Sequence, residues 1–190
     1  RGLVEDGQGE RHAGTSLAFK VGQGSRCVEA TPMQDSDAEF MRHAIALSRR
    51  GMEAGAGGPF GAVVVMEGRI VGEGWNQVTS TNDPTAHAEV VAIRRACSAL
   101  GRFDLRGAAL YTSCEPCPMC LAAAYWARVD RVLYGNDRAD AAAIGFDDGW
   151  IYDEVPKPME ARRLPMRRLL GAEALEVFEA WGRKADRVGY

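Results

Sequence analysis

The chain has 190 residues, of which 46% are hydrophobic and 26% charged, and its formal net charge is −3. This composition is typical of a globular protein and argues against a nucleic-acid-binding protein that depends on overall positive charge. No apolar run approaches the roughly 18 residues that a membrane-spanning helix requires, so no membrane association is expected. The cysteine count is odd, at five, and three of the cysteines are clustered, which favours reduced thiols or a metal site, and hence the cytoplasm, over a disulfide framework.

The first segment differs in composition from the rest of the chain. Residues 1–32 are rich in glycine and poor in apolar side chains, and Phe19 is their only aromatic residue. Such a segment cannot bury enough apolar surface to form a core. We therefore predict a disordered leader or an upstream remnant over residues 1–32, followed by a single domain over residues 33–190.

The domain opens with a helix and a hairpin. Ser36 and Glu39 form a capping-box pair ahead of apolar residues at helical spacing, which predicts a helix over residues 36–51. Two β-rich runs, Gly61–Met66 and Arg69–Trp75, flank a Glu-Gly dipeptide and predict a β-hairpin.

The remaining elements alternate between helices and strands. Apolar patterning and turn residues predict helices over 85–100, 117–127 and 172–184, and strands over 108–112, 131–135 and 164–169. Helices alternating with strands after an initial hairpin imply a mixed sheet that is covered on both faces. The predicted fold class is therefore α/β, a three-layer α/β/α sandwich with a five-stranded mixed sheet.

Two short motifs have the residue types and spacing of a catalytic zinc site. The sequence PTAHAEV places His87 and Glu89 at the start of one predicted helix, and EPCPMC places Cys117 and Cys120 at the start of another. Together they match the H-x-E and P-C-x-x-C signature of zinc nucleobase deaminases. Three protein ligands leave one coordination position for water, as catalytic zinc requires. Glu89 is two residues from His87, so it is predicted to act beside the metal as a proton shuttle rather than as a ligand.

Other interpretations of these motifs exist. A lone His-x-Glu is common at helix starts, and a lone Cys-x-x-Cys could belong to a structural zinc site or a redox pair. Cys114 could supply a fourth ligand, and Cys114, Cys117 and Cys120 have the equal spacing of an iron–sulfur run. That run would lack its fourth cysteine, and Cys114 is predicted at a strand end, so catalytic zinc is favoured over structural metal or a cluster.

Over residues 36–190 the chain resembles the cytidine-deaminase superfamily and, within it, the small bacterial guanine deaminases. The resemblance includes GGPFGAVVV at 57–65, NDPTAHAEV at 82–90, YTSCEPCPMC at 111–120, YWAR at 125–128 and GFDDGWIY at 145–152, with a tyrosine at the chain end. It implies a zinc-dependent hydrolase that converts guanine to xanthine and ammonia, with one catalytic Zn²⁺ per subunit.

The resemblance also implies roles for individual residues. The implied zinc ligands are His87, Cys117 and Cys120; the implied catalytic residues are Glu89 and Asp148; and the implied contacts to the purine base are Asn76, Phe60, Trp126, Ala88 and Tyr190. Taken alone, the residues outside the zinc motifs have simpler interpretations: Asn76 as a turn residue at a strand end, Phe60 and Trp126 as core, and Asp148 as a solvated loop acid.

The C-terminal segment WGRKADRVGY is polar and would ordinarily be a frayed tail. The resemblance implies instead a homodimer in which this segment swaps onto the partner and Tyr190 closes the partner's pocket. Guanosine deaminase and tRNA adenosine deaminase are the alternative activities, although a tRNA enzyme should show a basic face. A zinc-stabilised binding module without turnover should lack Glu89, which is present.

Overall fold

The computed structural model describes residues 35–189. The predicted leader, residues 1–32, and Tyr190 lie outside the described residues. In chain order the elements are α1 (Asp35–Glu53), β1 (Gly61–Met66), β2 (Arg69–Trp75), α2 (Val78–Thr81), α3 (Ala88–Leu100), β3 (Ala108–Cys114), α4 (Pro118–Ala127), β4 (Arg131–Asn136), α5 (Arg138–Ala143), α6 (Gly149–Glu154), a 3₁₀ turn (Met159–Ala161) and α7 (Gly171–Arg183). None of the helices in this range is both long and apolar enough to cross a membrane.

The strands form one mixed sheet in the order β2-β1-β3-β4. β1 pairs antiparallel with both β2 and β3, as the predicted hairpin requires, and β3 pairs parallel with β4. Helix α4 connects β3 to β4, which forms the crossover that a parallel pair needs. The carboxyl ends of β3 and β4 therefore lie at the same end of the sheet, next to the start of α4.

Both faces of the sheet are covered, which confirms the α/β/α layering. On one face α1 packs through Leu47 against Val63 and Tyr111, with Phe40 and Met41 alongside. On the other face α3 and α4 bury the larger core, whose members are Ala62, Val64, Ala88, Ala92, Ile93, Ala96, Leu105, Ala108, Leu110, Ala124 and Ala127. Strand β3 is buried along its whole length because it lies between the two helical layers.

Helix α3 lies unusually close to strand β2. A Cβ atom added at Gly74 would lie 2.1 Å from the Ala88 carbonyl oxygen, and one at Gly72 would lie 2.4 Å from that of Ala92. Only glycine permits this approach, because any side chain would collide with the helix backbone. The two glycines thereby fix the first turn of α3, and with it His87 and Glu89, against the sheet.

The predicted fifth strand is wrong. Residues 164–169 have no regular secondary structure and, among the described residues, pair with no strand, so the sheet has four strands. Pro165 has no N–H to donate, and Leu164 and Leu169 are 73% and 72% exposed. A short apolar run becomes a strand only where a neighbouring strand supplies hydrogen-bond partners.

The short helices α2, α5 and α6 are not predicted by the sequence pattern. Each has six residues or fewer, which is too short for a periodic pattern to be recognised.

Candidate metal centre and substrate pocket

The three predicted zinc ligands meet at the starts of two helices. His87 and Cys117 are the N-cap residues of α3 and α4, and Cys120 lies in the first turn of α4. The predicted starts of these two helices, residues 85 and 117, lie before the first helical residues in the structure, Ala88 and Pro118. The unpaired N–H groups at a helix start favour anionic ligands, so both positions stabilise thiolate and the negative charge that develops beside a metal.

The geometry of the triad fits a tetrahedral zinc ion. The ligand atoms of His87, Cys117 and Cys120 all lie within 4.8 Å of one another. The His87 Nδ1 atom is 3.6 Å from Cys117 Sγ and 3.5 Å from Cys120 Sγ. Zn–S and Zn–N bonds of about 2.3 and 2.1 Å at a tetrahedral angle would separate sulfur and nitrogen by about 3.6 Å. The residues present therefore match zinc in ligand type, number and spacing.

The thiolate charge on Cys117 favours metal binding as well. Hydrogen bonds from Cys120 and His87 lower the pKa of Cys117 to about 4, so this sulfur is a thiolate at neutral pH. The same thiolate raises the pKa of His87 above its ordinary value, so the imidazole has to lose its proton to the solvent when it binds zinc. Thiolate is the form of cysteine that binds zinc.

Glu89 lies beside the metal ligands and is buried. Its side chain is 6% exposed, and its Oε2 atom accepts a hydrogen bond from Cys120 Sγ at 3.4 Å. Burial raises the pKa of Glu89 above the usual range of a carboxyl. A carboxyl whose pKa is moved towards neutrality can both take up and release a proton during a reaction, as the proton-shuttle role requires.

Asn76 is held in one orientation at the end of β2. Its Oδ1 atom accepts hydrogen bonds from the backbone N–H groups of Gly58, at 3.3 Å, and Val78, at 3.2 Å. A Cβ added at Gly57 would lie 2.2 Å from the same oxygen, so glycine is needed there. Because both backbone donors occupy Oδ1, the amide NH₂ of Asn76 remains as a donor for a ligand.

A cavity of about 430 Å³ contains most of the predicted site residues. Its walls include His87, Glu89, Cys117, Asn76, Phe60 and Asp148. The volume lies at the small end of the range for small-molecule pockets. Burial, followed by the nearby Cys117 thiolate, raises the pKa of Asp148.

Other predicted substrate contacts are placed differently. Ala88 is fully buried at the first position of α3 and is not one of the residues that line the described cavity. Trp126 is 66% exposed on α4 and is not one of the residues that line the described cavity. Tyr190 lies outside the described residues. The roles implied for Ala88, Trp126 and Tyr190 stay predictions, as do the roles of the site residues that line the cavity.

Part of the pocket wall was not predicted from the sequence. The rings of Phe60 and Phe146 meet edge to face, with centroids 4.9 Å apart, and Trp150 and Arg138 also line the cavity. Phe146 and Trp150 belong to the GFDDGWIY segment, two residues on either side of Asp148. That proximity was the available signal, but which aromatic side chains enter a pocket depends on how the short helix α6 packs.

The family comparison agrees with this geometry. Residues 34–136 match the family described as the cytidine and deoxycytidylate deaminase zinc-binding region. The match contains both zinc motifs and all four strands.

Individual relatives are more specific. The guanine deaminase of Bacillus subtilis is 52% identical over 151 residues, which are 80% of this chain and 97% of that protein. Its X-ray structure superposes with a TM-score of 0.79 at 51% identity, covering 83% of this chain and 99% of the other. A guanine deaminase structure from Nitrosomonas europaea is 32% identical, with a TM-score of 0.57, and covers 70% of this chain and 72% of that one. The tRNA-specific adenosine deaminase of Agrobacterium fabrum is 46% identical over 86 residues, which are 45% of this chain and 57% of that protein.

Proposed function

The chain belongs to the cytidine and deoxycytidylate deaminase family, and on that premise we propose that it is a zinc-dependent guanine deaminase, a hydrolase that converts guanine to xanthine and ammonia. The observation that carries the proposal is that one cavity is lined by His87 and Cys117 of the zinc triad together with Glu89, Asn76 and Asp148, with the third ligand, Cys120, beside them. The identity to a guanine deaminase along nearly its full length supports the substrate. We propose the cytoplasm as the compartment, since the ligand cysteines must be reduced to bind zinc.

The reaction needs water activation, proton transfer and orientation of the base. The chemistry that a bound zinc ion supplies is the activation of water as a nucleophile near neutral pH. Glu89 accepts one proton as the water oxygen bonds to C2 of guanine and delivers it to the neighbouring ring nitrogen. It then moves the second water proton from the new C2 hydroxyl to the departing amino group. The C2–N bond breaks, C2 gains an oxygen, and the amino group leaves as ammonia.

The remaining residues orient the base. The NH₂ of Asn76 donates to an acceptor on the purine, and the Asp148 carboxylate accepts a hydrogen bond from an N–H of the base or its amino group. Phe60 and Phe146 form an aromatic wall against which a flat base can pack.

A substrate screen tests the proposed function. Ammonia release should be measured with guanine, guanosine, adenine, cytosine and a tRNA anticodon stem-loop. We expect guanine to give the highest kcat/KM, and tRNA to give no release, because the net charge of −3 provides no general attraction to phosphate. Faster release from guanosine or from the stem-loop would transfer the assignment to the corresponding alternative.

Asn76→Asp is expected to reduce kcat/KM for guanine by about 100-fold or more. The substitution replaces the side-chain NH₂, which is the donor to the base, with a second oxygen that can only accept. Steady-state ammonia release measures the effect. Asn82→Asp is the matched control: this residue is exposed and in the left-handed region at φ 52°, which aspartate also tolerates. Wild-type kinetics in Asn76→Asp would show that the amide does not contact the base.

We also propose that the protein is a homodimer with swapped C-terminal segments. Helix α7 has no buried residue, and its large side chains are exposed: Leu175 (49%), Val177 (67%), Phe178 (75%) and Trp181 (47%). An amphipathic helix needs a partner for its apolar face.

Deletion of Tyr190 is expected to lower kcat/KM for guanine without changing the melting temperature, because the terminal ring would close the partner's pocket. Light scattering should give the mass of a dimer for both proteins. Tyr190→Phe, which keeps the ring, should retain more activity than the deletion. A monomeric wild-type protein, or unchanged kinetics after the deletion, would contradict the swap or the closure respectively.

A further inference from the structure

One wall of the pocket is a short segment with little core of its own. Residues 145–154 supply Phe146, Asp148, Trp150 and Ile151 to the cavity. Helix α6 within this segment has only six residues, and Glu154 is its one buried residue. A segment with so little buried surface has low local stability. Its position over the site must therefore come from specific contacts.

Tyr152 makes such a contact to the loop that carries the metal ligands. Its hydroxyl donates a hydrogen bond of 3.1 Å to the carbonyl oxygen of Pro116, and Pro116 immediately precedes the ligand Cys117. The hydroxyl therefore connects the pocket wall directly to the loop that begins α4. Asp148 is the N-cap of α6 and lies one helical turn before Tyr152, so this bond restrains that turn relative to Cys117.

Arg138 reinforces the same connection from the other side. Its guanidinium carbon lies 4.9 Å from the centroid of the Tyr152 ring, within cation–π range. Its backbone N–H donates to Glu115 Oε2 at 3.2 Å, and Glu115 precedes Pro116. The hydroxyl of Tyr152 thus contacts Pro116 directly, and its ring contacts Arg138, which is itself hydrogen-bonded to Glu115. We call the contacts of Tyr152 with Arg138 and Pro116 the latch.

We propose that Tyr152 is a positioning residue, whose latch holds Asp148 and the adjoining wall over the metal loop so that the base is bound in a closed pocket. The inference rests on the proposed function, because it concerns binding of the same substrate. Tyr152 is not one of the residues that line the described cavity, so in this proposal it acts through Asp148 and does not touch the base. Loss of the hydroxyl should therefore weaken binding of the base more than it slows the chemical step.

The test is Tyr152→Phe, which removes only the hydroxyl. We expect the KM for guanine to rise roughly threefold to tenfold, the effect of losing one neutral hydrogen bond, with kcat, bound zinc and melting temperature retained. Tyr134→Phe is the matched control, since it removes a hydroxyl from a side chain that is 51% exposed on the edge strand. A KM equal to that of the wild type, or a lower melting temperature with unchanged kinetics, would overturn the proposal.

A double-mutant cycle with Asp148→Asn then separates positioning from an independent effect. If Tyr152 acts through Asp148, Tyr152→Phe should cause little further loss when Asp148 is already replaced. Additive losses would overturn the proposal. Its failure is distinguishable from failure of the proposed function: a wild-type protein that does not deaminate guanine contradicts the function, whereas an active wild type with an equally active Tyr152→Phe contradicts only the latch.

Discussion

Replacing Glu89 with Gln is expected to lower kcat for guanine deamination by about 10²–10⁴-fold, the range for loss of a general acid–base. The buried carboxyl lies 3.4 Å from Cys120 Sγ, and burial raises its pKa. Gln has nearly the same shape but cannot take up and release a proton. The measurement is single-turnover ammonia release, together with zinc content and guanine affinity.

Zinc content and guanine affinity should stay within a few-fold of the wild type in Glu89→Gln, because no metal ligand is removed. Glu53→Gln is the control, since Glu53 is an exposed carboxylate at the end of α1. Substantial turnover by Glu89→Gln would rule out Glu89 as the proton shuttle. Loss of zinc in the same variant would instead give Glu89 a role in supporting the metal site.

Replacing Cys117 with Ala is expected to abolish both zinc binding and activity. Cys117 Sγ lies 3.6 Å from His87 Nδ1. Hydrogen bonds from Cys120 and His87 lower the pKa of Cys117 to about 4, so its sulfur is in the thiolate form that binds zinc. The two ligands that remain cannot bind zinc with the affinity of a catalytic site that has three protein ligands. Zinc per chain, determined by elemental analysis after gel filtration, should fall from one to nearly zero, and the melting temperature should fall because bound metal stabilises the fold.

Cys114→Ala is the matched control and also decides between a catalytic and a structural metal site. Cys114 is buried, but its sulfur donates to the Asp137 carbonyl oxygen at 3.6 Å and is not part of the ligand group found in the described residues. Burial raises the pKa of its thiol to about 11. Zinc should therefore stay at one per chain. Equal loss of zinc from Cys114→Ala and Cys117→Ala would indicate a four-ligand structural site.

The metal centre could be predicted from sequence because its geometry is mostly local. Cys117 and Cys120 share one helix start, and His87 and Glu89 share another. At a helix N-terminus, residues three apart lie on the same side and backbone N–H groups are free. Tertiary structure needed only to bring two such helix starts together, and Gly72 and Gly74 in the predicted hairpin provide the close approach of α3.

The pocket wall was less predictable because it depends on packing between distant segments. Phe146 contacts Phe60 across 86 positions of the chain, and Tyr152 reaches Pro116 across 36. Nothing in the spacing of GFDDGWIY indicates those partners. The exposed position of Trp126 also could not be derived locally, since an aromatic residue on an apolar helix is more often buried.

The sequence by itself determined the α/β class, four strands, the main helices and the placement of the two zinc motifs at helix starts, because hydrophobic periodicity, capping residues and motif spacing are properties of short stretches of chain. Only the tertiary structure decided the amide orientation of Asn76, the aromatic wall and the latch at Tyr152. It also decided that residues 164–169 remain unpaired within the described chain. These features depend on which surfaces meet, since a strand, a pocket or a hydrogen bond between loops requires a second segment that a local pattern cannot specify.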